Sequence, residues 1–99
     1  MRIKHWQGYG SVEAKKVSAA TDKATGLKTV VVEVSGNHEW GLERNDLYDI
    51  HRWLGRFFKD CLSWADIRSL GVEGGYRKKG SIGEEWCRYT ITYEAGVQQ

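Results

Sequence analysis

Residues 27–35 of the chain read LKTVVVEVS, and this stretch is the clearest strand in the sequence. Its valines at positions 30, 32 and 34 fall on one face at the two-residue spacing of a strand, and β-branched residues favour that structure. The preceding residues 21–26, TDKATG, are typical of a turn. Residues 2–20 also alternate, with a slip that predicts a bulge near residues 15–16. The first two strands are therefore expected to form a long hairpin.

A helix is predicted downstream of this hairpin. Asn45 or Asp46 is expected to cap it. Ser63 and Asp66 resemble a capping box, which predicts a second, short helix over residues 64–70 that Gly71 ends. The apolar stripe of the first helix follows i, i+3, i+4, i+7 spacing and contains Leu47, Ile50, Leu54, Phe57, Phe58 and Cys61.

The C-terminal third returns to strand patterns. Residues 76–79 are a candidate strand, residues 79–83 a turn, and residues 85–94 a strand with alternating faces. The order is ββ–αα–ββ without an obvious βαβ crossover. The sequence therefore predicts an α+β fold, with an antiparallel sheet of about four strands and helices packed on one face. At this length, residues 1–99 are expected to form a single domain with a loose tail at 95–99.

Composition narrows the class of protein. The formal net charge of +2 is too small for a dedicated DNA binder. The sequence has neither a signal peptide nor an apolar run of about 18 residues, so a soluble, cytoplasmic protein is expected. Cys61 and Cys87 fall on apolar faces of predicted elements, which indicates reduced core thiols. Five tryptophans exceed what so small a core can enclose, so at least one is expected to be partly exposed, with Trp64 and Trp86 favoured as core residues.

The sequence contains three histidines that could serve in catalysis or metal binding, His5, His38 and His51. His38 and its neighbour Glu39 would point to opposite faces of a strand and would not act together. The sequence contains neither a G-x-S-x-G elbow nor P-loop spacing, and its His, Cys, Asp and Glu positions fit none of the common metal patterns. The protein is therefore expected to be no enzyme, with no metal and no cofactor.

Two short runs are better suited to ligand binding, HWQGYG at residues 5–10 and GNHEWG at residues 36–41. Trp and Tyr combine flat faces with a polar tip, and glycines allow a ligand to approach the backbone. Phosphates would be held by Arg or Lys. Plain strand packing of Trp6 and Tyr9, and capping of the helix start by Trp40, remain the alternatives. The predicted ligand-binding residues are His5, Trp6, Tyr9, His38, Trp40 and Arg44, with Lys15 or Lys16 as phosphate contacts.

Two other kinds of partner remain open. Basic groups at residues 15–16, 52–59 and 77–79, with aromatic residues among them, suit a nucleic-acid binder, although acidic residues interrupt the field. Trp, Tyr and Arg are also the residues that dominate protein interfaces. An exposed Trp53 would suit binding to another protein or a homo-oligomer, and a ligand site at a dimer interface would combine both.

The segment KHWQGYG at residues 4–10, with Val12, Ala14 and Lys15, resembles that of short proteins encoded by phages of Gram-positive bacteria. The segment GNHEWGLERNDLYD at residues 36–49, followed by Trp53 and Leu54, is similar to them too. Such phage accessory proteins often counter host defence. The resemblance implies an anti-defence protein of the host cytoplasm that sequesters a nucleotide-like immune signal. The alternative it implies is an inhibitor that binds a host defence protein directly, and a nucleic-acid-binding module is the third reading.

Overall fold

The computed structural model describes residues 1–4, 11–36, 45–79 and 82–96. Within these ranges, one helix, α1 (Leu47–Leu54), precedes single turns of 3₁₀ helix at Gly55–Phe57 and Trp64–Asp66. The five strands of the same ranges are β1 (Arg2–Lys4), β2 (Ser11–Thr21), β3 (Lys28–Gly36), β4 (Ile67–Lys79) and β5 (Ile82–Tyr93). They form one sheet in the order β1-β2-β3-β5-β4, and all pairs of neighbours are antiparallel.

The predicted ββ–αα–ββ arrangement is wrong. The described chain is mostly antiparallel sheet with a single short helix, and the sheet has five strands instead of about four. The segment predicted as a second helix begins as expected, because the Ser63 hydroxyl accepts a hydrogen bond from the Ala65 N–H at 3.2 Å. It ends after one 3₁₀ turn, and β4 starts at Ile67. Pairing of β4 with β5 along its full length outweighs the local capping signal.

The N-terminal hairpin matches the prediction in part. The turn between β2 and β3 is confirmed, with the Asp22 carboxylate accepting from the Ala24 N–H at 2.8 Å and with Gly26 at φ +75°. The β2–β3 register shifts between Lys16 and Ser18, as the predicted bulge requires. Residues 2–20 are not one strand, however. β1 lies antiparallel beside β2, with Ile3 opposite Val12, and this pairing buries both side chains.

The first helix is shorter than its apolar stripe. Asp46 caps it by accepting from the N–H groups of Tyr48 and Asp49 at 2.9 and 3.2 Å. The helix ends at Leu54, and the chain continues as a 3₁₀ turn. Burial of the stripe is nevertheless confirmed, although Leu47 is only partly buried. The buried members are Ile50, Leu54, Phe57, Phe58 and Cys61.

Packing gives the sheet two different faces. The face beneath α1 carries the valines at positions 30, 32 and 34 of β3 and the two tyrosines of β5, and Tyr89 and Tyr93 are among its largest fully buried side chains. We call the opposite side the open face, and Trp86 lies there, partly exposed, instead of in the core. Trp64 is 47% exposed, which contradicts its predicted burial and confirms that at least one tryptophan is partly exposed.

Two smaller expectations concern the cysteines and the membrane. Cys61 and Cys87 are both buried and free, as predicted. None of the helices among the described residues has the length and apolar character that a membrane crossing requires.

Candidate anion-binding site

Most of the ligand-binding residues predicted from the sequence lie outside the described residues. These are His5, Trp6, Tyr9, His38, Trp40 and Arg44. The two predicted phosphate contacts, Lys15 and Lys16, are described, and both are exposed on β2. The described part of the predicted site therefore consists of these two lysines and the residues that the fold brings near them.

The sheet separates the two lysines. Lys15 pairs with Glu33 of β3, which lies on the open face. Lys16 pairs with Val32, whose side chain is buried beneath α1. Because consecutive residues of a strand point to opposite faces, the two ammonium groups serve different surfaces.

Lys16 borders an open cleft of about 460 Å³ on the side of the sheet that carries α1. We call it the basic cleft. Buried Phe57 and Phe58 contribute apolar walls. Four cationic side chains and one carboxylate complete its lining: Lys16, Lys28, Arg56, Lys59 and Asp60. Two strands and the turns after the helix each supply part of this lining, so the charges converge only in the folded chain.

Asp60 is the hub of the basic cleft. Its Oδ2 atom accepts from the Lys28 ammonium at 2.8 Å, and its Oδ1 atom accepts a hydrogen bond from the Tyr93 hydroxyl. Its backbone carbonyl accepts from the Gly96 N–H at 2.7 Å. These bonds tie the turn after the helix to β3, to the end of β5 and to the residues that follow it. The position of Lys28 in the cleft is thereby set.

The ionisation of this hub follows from the same contacts. Partial burial favours the protonated form of Asp60, but the hydrogen bonds from Lys28 and Tyr93 and the charge of Lys28 favour the carboxylate more. The net effect is a pKa of Asp60 below its ordinary value. Burial, and then the adjacent carboxylate, raise the pKa of Tyr93 far above its ordinary value. Near neutral pH the cleft therefore contains an ionised Asp60 that balances only part of the positive charge around it.

Such a lining is suited to anions. Arg and Lys form charge-assisted hydrogen bonds with phosphate and carboxylate groups, and Arg can bind them in bidentate fashion. Arg56 is exposed, and its guanidinium lies 3.5 Å from the Met1 sulfur. Phe57 and Phe58 are too deeply buried to offer a stacking face to an aromatic base. The described part of the cleft thus has charges suited to an anion and offers no stacking face for a base.

The open face has a smaller hollow of different character, with a volume of about 210 Å³. Its charged side chains are Glu13, Lys15, Glu33 and Glu84. Its three carboxylates outnumber the ammonium groups of Lys15 and Met1, so it is less suited to a phosphate than the basic cleft. Lys15 therefore does not make this surface a second anion site, and the two predicted phosphate contacts are unequal.

His51 is part of the framework. Its Nε2 atom lies 2.7 Å from the Cys61 carbonyl oxygen, and its ring meets Phe58 edge-on at 5.9 Å. Within the described ranges, no group of three or more His, Cys, Asp or Glu side chains is placed to hold a metal ion. His5 and His38 lie outside those ranges.

Sequence reasoning missed Lys28 and Asp60 as members of a site. Lys28 opens the strongest strand pattern and gives no separate signal. In the sequence, Asp60 is only one of the acidic residues that interrupt the basic groups. Both join the cleft through pairing of β3 and through the turn after α1, which are tertiary features.

Comparison with known proteins adds no relative. No family model, curated protein or solved structure matches the chain.

Proposed function

We propose that the protein is a non-enzymatic binding module that holds a small phosphate-bearing ligand in the basic cleft. The observation that carries this proposal is the convergence of Lys16, Lys28, Arg56 and Lys59 around a single carboxylate. An excess of cations in one concave site is the arrangement that phosphate recognition requires.

A nucleotide-like immune signal is the ligand class that we favour. This choice rests on the resemblance to phage accessory proteins and on the two aromatic, glycine-containing runs. The basic cleft would hold the phosphates. Stacking of a base by Trp6, Tyr9 and Trp40, which lie outside the described residues, stays a prediction from the sequence. In this proposal the protein acts in the cytoplasm of the host cell and lowers the concentration of the free signal.

The experiment is a calorimetric titration with a cyclic dinucleotide, a nucleoside triphosphate, inorganic pyrophosphate and an uncharged nucleoside. We expect the phosphate-bearing probes to bind and the nucleoside to bind far more weakly. Lys16→Gln should weaken binding by about 10- to 100-fold, since a hydrogen bond to a charged group is worth about 1.5–3 kcal/mol.

Lys15→Gln is the matched control, because it removes the same charge from the adjacent, equally exposed position on the other face. It should leave affinity within about twofold, which is the small effect expected of a distant, screened charge. Equal losses in the two variants would show that the cleft is not the site. Failure of all phosphate-bearing probes to bind would refute the proposed function.

Salt dependence separates this function from binding to nucleic acid. A small ligand contacts few charged groups, so its affinity should fall only modestly as salt rises. A nucleic-acid strand that replaces many counterions would lose affinity steeply. Tight, salt-sensitive binding to oligonucleotides without a response to the small probes would favour the nucleic-acid reading.

One observation favours a second candidate, direct binding to a host defence protein. Leu62 and Trp64 are 55% and 47% exposed within one short segment, and exposed tryptophan is typical of interface hot spots. With a purified candidate target, Trp64→Ala should abolish inhibition while Lys16→Gln leaves it unchanged. The reverse result would support the anion-binding function instead.

A further inference from the structure

Strand β4 forms one edge of the sheet. This strand pairs with β5 from Ile67 to Lys79 and is outermost in the strand order. In the described ranges, no other strand pairs with its outer edge. An edge of thirteen residues presents a row of backbone donors and acceptors that another strand can satisfy. At the opposite edge, β1 pairs with β2 at residues 11–13, and the outer side of β2 over residues 15–21 has no strand partner in the described ranges, but no row of alternating charge leads to an exposed acidic residue there.

A row of alternating charge crosses the open face and ends on this edge. Lys15, Glu33, Arg88 and Glu73 lie opposite one another on β2, β3, β5 and β4. Arg88 donates to the buried Glu33 carboxylate at 3.1 Å. Glu73, at the end of the row, is exposed. The next strand of such a sheet would continue the alternation if it placed a cation opposite Glu73.

The middle of β4 is formed by Gly74 and Gly75, both exposed. The Trp86 indole lies across Gly75, because a Cβ atom at that position would be 3.1 Å from the indole Nε1 atom. On the other face, Tyr76 is 70% exposed. The edge therefore combines an uncovered backbone with two aromatic side chains near glycines.

We infer that a second copy of this chain pairs with β4, antiparallel, about a twofold axis at Gly75. Residues directly opposite in an antiparallel pair share a face, so the axis must pass through a residue and not between two residues. An axis at Gly75 places Glu73 opposite Arg77 of the second copy, and symmetry repeats the pair. The charge row thus runs on across the interface without a break.

The same register suits the glycines. Gly74 falls opposite Tyr76 of the second copy, whose ring lies across Gly83 of its own chain, so no two side chains collide at this position. Gly75 lies opposite Gly75 of the second copy. Because neither residue has a side chain, the two Trp86 rings have room on either side of the axis. An axis at Gly74 would place Glu73 opposite Gly75 and would pair no opposite charges. An axis at Tyr76 pairs Glu73 with Lys79, but it shortens the overlap and sets Gly75 opposite Arg77.

The interaction closes on itself. A twofold pairing uses the same edge of both copies, so the product is a dimer with one continuous sheet and not an open fibre. Its outer edges are β1 and the part of β2 that β1 does not cover.

Sedimentation of the native chain and cysteine cross-linking together test the inference. The native chain should sediment as a dimer that dissociates on dilution. Under oxidising conditions, Glu73→Cys/Arg77→Cys should form a covalent dimer, since opposite residues lie within disulfide reach. The single variants should not, because their thiols would be four residues apart along the strands, about 13 Å.

Two controls keep the outcome interpretable. The native Cys61 and Cys87 are buried, and the unsubstituted chain reports any cross-linking through them. Thermal melting of each variant shows that it is folded. A native chain that stays monomeric at every concentration would overturn the inference. So would equal cross-linking of the single variants, or cross-linking of Glu73→Cys/Lys79→Cys in preference to the 73/77 pair.

Discussion

Asp60→Asn is expected to weaken the fold and strengthen anion binding at the same time. Asp60 accepts hydrogen bonds from Lys28 and from Tyr93, whose side chain is fully buried. Asparagine is nearly isosteric but neutral, and it has one acceptor oxygen where aspartate has two. The variant therefore loses the ion pair with Lys28 in either orientation of the amide, and its one oxygen can replace the acceptor for Lys28 or for Tyr93 but not for both.

The loss of stability can be bounded from these contacts. A hydrogen bond to a charged group contributes about 1.5–3 kcal/mol. The free energy of unfolding should fall by that amount, out of a total of about 5–15 kcal/mol for a typical domain. For a chain of this length, the melting temperature should drop by roughly 10 °C. Urea unfolding followed by tryptophan fluorescence measures the change.

Anion affinity should move the other way. Removing a negative charge about 6 Å from a bound phosphate relieves roughly 0.7 kcal/mol of repulsion in water, about a threefold gain in affinity. Pyrophosphate titration of the variant tests this. Glu94→Gln is the control, because its pair with Arg68 is exposed, and such pairs contribute about 0–1 kcal/mol. Unchanged stability, or weaker pyrophosphate binding, in Asp60→Asn would refute this account of the hub.

Two further outcomes follow from the same structure. Folding lowers the pKa of Asp60, so its contribution to stability is complete above the unfolded-state pKa near 4 and is lost as the pH falls through the lower folded-state pKa. Urea unfolding across acid pH should show this loss of stability. The Asp60→Asn variant should lack the part of the loss that Asp60 causes. Leu54→Ala should cost about 2–5 kcal/mol of stability, since Leu54 is fully buried. Tyr48→Ala, on the exposed side of the same helix, should cost less than about 1 kcal/mol. Similar losses in the two variants would show that the buried face of the helix is misassigned.

Local patterns in the sequence were enough for several elements. The alternation of residues 27–35 identified β3 and the residues that share each of its faces, and residues 21–26 identified the turn before it. Asp46 identified the helix start. These features depend on side-chain alternation, capping and backbone conformation within a few residues, and such local patterns can be recognised in the sequence alone.

Local signals failed where a distant strand competed with them. Ser63 and Asp66 form the start of a helix in the structure as in the sequence, but β5 supplies partners for the chain from Ile67 onward. Likewise, the stripe beyond Leu54 is buried without being helical. Burial of an apolar residue requires only that its side chain reach the core, so a helical spacing does not by itself determine a helix.

The candidate site shows the same division. The sequence by itself determined that Lys15 and Lys16 are neighbours of equal charge and that residues 52–59 include further basic residues. Only the tertiary structure decided that Lys16 faces the basic cleft while Lys15 faces Glu33, and that Lys28 and Asp60 belong with the former. The physical reason is that strand pairing assigns each residue to a face and a neighbour, and the partners involved are separated by tens of residues in the chain.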